Sequence, residues 1–128
     1  MIFITDLAQR VICSEEPSLS FASLLERNHV EFLDLLHTDV EGFDYELLKM
    51  FDFTRHRPRL LIFECLHLSA AELVACKAYL RQHGYETMDE GMDTWCMNMQ
   101  DTQPHDESLI KLWRQLRQRL GDRRMEFA

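Results

Sequence analysis

The run Phe32-Leu33-Asp34-Leu35-Leu36 passes directly into His37-Thr38-Asp39-Val40-Glu41-Gly42. Its first part has the length and apolar content of a β-strand, and a helical pattern begins near the glycine. A strand that ends in carboxylates and hands over at once to a helix restricts the chain to folds that alternate the two elements. In open sheets of that kind, ligands bind beyond the carboxyl ends of the strands. Acids at such an end are candidates for chemistry.

The rest of the chain continues the alternation. The first strong strand spans 32–38, and the helix after it spans 42–50, with Phe43, Leu47, Leu48 and Phe51 at helical spacing. Arg55-His56-Arg57-Pro58 breaks that pattern, and 59–65 is an unalternated run that predicts a strand covered on both faces. Ser69-Ala70-Ala71-Glu72 has the spacing of a capping box. The helix it opens has Leu73, Val74, Cys76, Ala78, Tyr79 and Leu80 as its buried face and ends at Gly84. Segments 85–88 and 94–99 are β-like, and Asp89-Glu90-Gly91-Met92-Asp93 joins them as a hairpin. Upstream, 2–4 and 10–13 are β-like and 14–18 is a turn. A short helix then starts at a Ser20 cap, carries Phe21, Leu24 and Leu25 on one face and stops at Asn28. The last helix runs over 104–120 with a stripe of Leu109, Leu112, Trp113, Leu116 and Leu120. The order predicts an α/β fold: a mostly parallel sheet flanked by helices, with an antiparallel hairpin at one edge.

The 128 residues fit one domain, and 46% hydrophobic with 28% charged residues is the balance of a globular chain. A net charge of −8 excludes a general nucleic-acid binder, which needs clustered Lys and Arg. The charge is uneven: eight basic face eighteen acidic residues in 1–105, and six face four in 106–128. No stretch approaches the roughly 18 apolar residues of a membrane span, and the N-terminus lacks the basic leader of a signal peptide, so the expected location is cytoplasmic. Cys13, Cys65, Cys76 and Cys96 have no Cys-x-x-Cys spacing and sit among apolar residues, which predicts reduced, buried thiols. His29, His56, His83 and His105 fall in loops or at helix ends, where surface positions are the default.

Segment 34–44, Arg57-Pro58 ahead of the strand ending Phe63-Glu64, Gly84-Tyr85 and Asp93-Thr94 together resemble the C-terminal half of FkbM-type methyltransferases. Members of that family use S-adenosylmethionine, have a Rossmann-like seven-stranded sheet and methylate hydroxyls on sugars, lipids and polyketides. The resemblance covers about residues 10–99, with the 104–120 helix as an addition. It implies a partial Rossmann-like sheet and methyl transfer to a hydroxyl-bearing small molecule, a sugar or a lipid. Two departures stand out. His37 occupies the place where the family carries a Lys, and no glycine precedes Gly42, so the family's Gly-rich cofactor loop and the ribose-binding acid have no counterpart upstream. The expectation is therefore a truncated chain that is inactive alone and associates with itself or with a missing N-terminal partner. The alternative from another class is a non-catalytic interaction module or decayed fragment.

By that resemblance Asp39 orients a substrate hydroxyl or accepts its proton, with Glu41 beside it as a second catalytic acid. A purely structural alternative has Asp39 and Glu41 capping the following helix. Glu64 and His67 leave the next strand on the same rim, so His37, Glu64 and His67 are the expected substrate-binding residues. Such donors can ligate a divalent ion, but acids and imidazoles at strand ends ordinarily pair with neighbours or face water, and no metal is assigned.

Overall fold

A computed structural model describes residues 18–103 and 106–126. Residues up to Val30 and residues from Glu31 onward form two compact units. In the first, helix α1 (Phe21–Arg27) starts where Ser20 Oγ accepts the Ser23 N–H and stops at Asn28, whose side chain donates to the Leu24 carbonyl at 2.8 Å. His29 follows in the left-handed region, at φ 52°. The strands expected at 2–4 and 10–13, and the turn at 14–18 apart from its last residue, lie outside the described residues.

The second unit is a four-stranded sheet of β1 (Leu35–Thr38), β2 (Leu60–Glu64), β3 (Tyr85–Glu90) and β4 (Asp93–Asn98), in the order β1-β2-β4-β3. Helix α2 (Asp44–Lys49) joins β1 to β2, α3 (Ala70–Gln82) joins β2 to β3, and α4 (Glu107–Glu126) ends the chain. The fold is α/β, as expected, but the sheet is mixed. Only β1 and β2 are parallel; β4 is antiparallel to both β2 and β3. The hairpin enters with β4 inside the sheet, against β2, so one hairpin contributes two antiparallel pairings where the sequence placed a single antiparallel edge strand.

Local boundaries also shift. β1 covers four residues rather than seven, because its ladder begins where the Leu60 N–H donates to the Asp34 carbonyl, and Phe32 ahead of it is 85% exposed. α2 begins only at Asp44, since Glu41 (φ 52°) and Gly42 (φ 95°) form a left-handed turn that no helix contains. The hairpin turn contracts to Gly91-Met92, with Gly91 at φ 64°, as a two-residue connection with glycine first requires.

One sheet face holds the core. Leu61 and Phe63 alternate inward from β2, Thr94 and Cys96 stand beside them on β4, and Leu48, Cys76 and Leu80 from α2 and α3 are buried as well. Leu60 and Ile62, on the opposite face of β2, are only half-buried, so β2 is not covered equally on its two sides. The capping box at Ser69 and Glu72 is fully formed. Within α3 the 3.6-residue period buries Cys76 and Leu80 and half-buries Leu73 and Tyr79, while Val74 and Ala78 turn outward. His83, expected at the surface, instead stacks on Phe53 at 4.7 Å and meets the edge of Tyr79, because the end of α3 folds over the Phe51–Phe53 loop.

On the other face α4 buries Trp113, whose indole donates to Glu86 on β3 at 3.1 Å; Arg117 pairs with the same carboxylate. Leu112 and Leu116 of the expected stripe are 49% and 36% exposed, so Trp113 is the anchor of this helix rather than an even row of leucines.

These contacts rank two substitutions. Leu61→Ala removes a fully buried side chain from the central strand and is expected to cost about 2–5 kcal/mol. Ser69→Ala removes one cap and is expected to cost about 1 kcal/mol. Urea denaturation checks the order, which a larger loss at Ser69 would contradict.

Candidate functional site

The carboxyl ends of β1 and β2 point the same way, because the two strands are parallel. The turn after β1 is held by Asp44, the first residue of α2, whose fully buried carboxylate accepts the Val40 N–H at 3.2 Å. That clamp bends residues 39–42 back toward the loop leaving β2. Gly42 makes the approach feasible: a Cβ there would stand 3.1 Å from His67 Cβ and 3.3 Å from the His67 carbonyl oxygen, and the backbone is left-handed. The sequence pattern placed Gly42 at the helix start and gave Asp44 no separate role. The signal for their joint role was the acid four residues after Val40, spanning a glycine.

The juxtaposition brings three side chains together. His67 Nδ1 lies 3.1 Å from Glu64 Oε2 and 3.3 Å from Glu41 Oε2. Glu64 is buried at 9% exposure, whereas Glu41 and His67 face solvent. Asp39 is exposed beside them and acts on His67 through its charge. His37, paired in register with Ile62 further back along the strand, stays exposed and does not join the cluster. The helix-capping alternative for Asp39 and Glu41 fails, because Phe43 is the N-cap residue of α2 and no side chain caps it.

The imidazole is poised by its neighbours. The hydrogen bond that His67 donates to Glu64 raises its pKa above the ordinary 6.5, desolvation opposes it, and the charges of Glu64, Glu41 and Asp39 add to the rise. Cys76 and Cys96 are inert by contrast. Burial pushes Cys76 up to about 12 and Cys96 well above its usual range. Cys65 is half-buried and donates to the Met92 carbonyl, all three are free, and Cys13 lies outside the described residues.

A cleft of about 300 Å³ opens at the opposite, amino-terminal ends of β1 and β2, between Phe32, His56, Arg57 and Arg59. Arg57 and Arg59 are engaged by Asp101 and Asp106. The strand-end rim holds the convergent donors.

A family model described as the methyltransferase FkbM domain matches residues 5–87, more than half of the chain. The chain belongs to the FkbM methyltransferase family. No curated protein and no solved structure matches it significantly. The FkbM match contains β1, α2, β2 and α3, and with them Asp39, Glu41, Glu64 and His67; β4 and α4 lie beyond it. No helix among the described residues is long and apolar enough to cross a membrane.

The sign of the His67 effect on stability follows from the raised value. Protonated His67 is favoured in the folded state, so its pairing contributes fully below about pH 6.5 and is lost as the pH rises through the folded-state value. An NMR titration of the imidazole resonances is expected to place His67 above 6.5 and to show Glu64→Gln bringing it down. A wild-type midpoint at or below 6.5 would contradict the pairing.

Proposed function

We propose that this chain supplies the acceptor side of an S-adenosylmethionine-dependent O-methyltransferase. One observation carries the reading: within the span matched by the FkbM family, the β1–α2 turn and the β2 exit bring carboxylates and an imidazole together at the carboxyl rim. In it, Asp39 orients a hydroxyl of a sugar, lipid or similar small molecule and takes up its proton, and exposed Asp39 is free of the helix-capping duty that would compete with this role. Glu41 is the second acid of the turn. Glu64 and His67 hold the acceptor, and His37 meets it from further down the strand.

The described residues do not fit S-adenosylmethionine itself. Its pocket needs a Gly-rich strand-to-helix loop and an acid for the ribose. The glycines here are spent elsewhere: Gly42 under His67, Gly84 after α3, Gly91 in the hairpin and Gly121 in α4. The described part of the methyltransferase-like segment at about 10–99 therefore serves the acceptor, with α4 as an added helix.

A second reading, a non-catalytic interaction module, is favoured by the edge of the sheet. Among the described residues β1 pairs only with β2, and Leu35 is 48% exposed. Association with another chain along β1 would suit either reading.

Two measurements separate these readings. Calorimetric titration of the chain with S-adenosylmethionine is expected to give a Kd weaker than about 10 µM, equivalent to roughly −7 kcal/mol; tighter binding would place a cofactor pocket in this chain. Residues 32–99 grafted into an active family member should support methyl transfer, and Asp39→Asn in the graft should lower turnover by about 10²-fold. A folded graft with no transfer would favour the interaction module, and an unchanged rate would remove Asp39 from the reaction.

A further inference from the structure

Glu41, Glu64 and His67 each direct one ligand atom to a common point, with all three atoms within 4.8 Å of one another. A first-row dication with bonds of about 2.0–2.2 Å to nitrogen and oxygen sets adjacent donors roughly 3–3.5 Å apart. The two separations involving His67 Nδ1, 3.1 and 3.3 Å, meet that requirement with little movement. Exposed Glu41 and His67 can close on an ion, while buried Glu64 supplies a fixed anchor at the end of β2.

The charge around that point also calls for a cation. Asp39 lies beside the cluster, so three carboxylates act on one imidazole, and Asp93 on β4 is the cross-strand partner of Glu64. Among the described residues no Lys or Arg forms an ion pair with any of these carboxylates. The surroundings stay negative whether His67 is neutral or protonated. Directly opposed like charges in a sheet are unfavourable, and a buried carboxylate needs a compensating partner. The backbone adds the geometry: the left-handed Glu41-Gly42 turn, pinned by Asp44, carries Glu41 over His67.

We propose that Glu41, Glu64 and His67 form a three-ligand site for a divalent first-row transition cation, of which Zn²⁺ and Mn²⁺ are the probes. An imidazole among the ligands selects such ions over Mg²⁺ and Ca²⁺, which prefer oxygen alone. Three protein ligands leave coordination positions open on the rim side, where an exogenous oxygen can bind. If that oxygen belongs to an acceptor hydroxyl, the ion favours its deprotonated form. This last role rests on the methyl-transfer reading; binding of the ion does not.

The test uses the full chain stripped of metal, titrated calorimetrically with Zn²⁺, Mn²⁺, Mg²⁺ and Ca²⁺ in turn. One equivalent of Zn²⁺ is expected to bind with a Kd of about 10 µM or tighter. Mn²⁺ should bind more weakly, and Mg²⁺ and Ca²⁺ more weakly still. Glu41→Gln and His67→Ala, both at exposed side chains, should each weaken Zn²⁺ binding at least about tenfold, while His29→Ala should leave it unchanged. Circular dichroism of each variant confirms the fold. Absence of saturable Zn²⁺ binding below about 1 mM, binding indifferent to Glu41→Gln and His67→Ala, or equal affinity for Ca²⁺ would each overturn the site. None of these outcomes depends on methyl transfer, so the site and the reaction can fail separately.

Discussion

β2 is the strand on which the second unit depends. It is hydrogen-bonded on both sides, parallel to β1 and antiparallel to β4, so its five residues set the register of the sheet's two other contacts to the core. Leu61 and Phe63 turn one way, into full burial, and Leu60 and Ile62 turn the other way, into partial cover. The same alternation leaves Glu64 at the end of the strand, buried, with its carboxylate committed to the rim. Packing and site thus share one strand, and the rim inherits the rigidity of the core.

Acid accumulates at that rim because each element ends there independently. β1 delivers Asp39 and Glu41, β2 delivers Glu64, and β4 begins at Asp93. Elsewhere three carboxylates pair with permanent cations: Asp89 with Lys77, Glu86 with Arg117 and Asp106 with Arg59. At the rim the partner is a histidine, whose charge depends on its surroundings. That contrast sets the carboxyl ends of β1 and β2 apart from the rest of the sheet.

Helix α4 of the basic C-terminal segment reaches the acidic body at Glu86. Trp113 and Arg117, one turn apart on α4, both reach Glu86 on β3, joining an apolar anchor to an ion pair. The ion pair is half-exposed and contributes little by itself. Burial of the indole anchors α4, while Leu112 and Leu116 stay partly exposed.

The amino-acid sequence by itself determined what is local along the chain. The capping box at Ser69, the stops at Asn28 and Gly84, the turn at Gly91 and the strand character of 60–64 depend on neighbours within about four residues, and they were legible there. The acid-bearing end of β1 was legible for the same reason, as was the family to which its motif belongs. Only the tertiary structure decided which strand lies beside which. β4 displaces β3 from β2, His83 turns into the aromatic cluster, and of five rim residues Glu41, Glu64 and His67 meet while Asp39 stands beside them and His37 stays apart. Periodicity shows which way a side chain points from its own element. Which distant side chain it meets is set by strand order, register and the close approach at Gly42, and these are contacts between residues far apart in sequence.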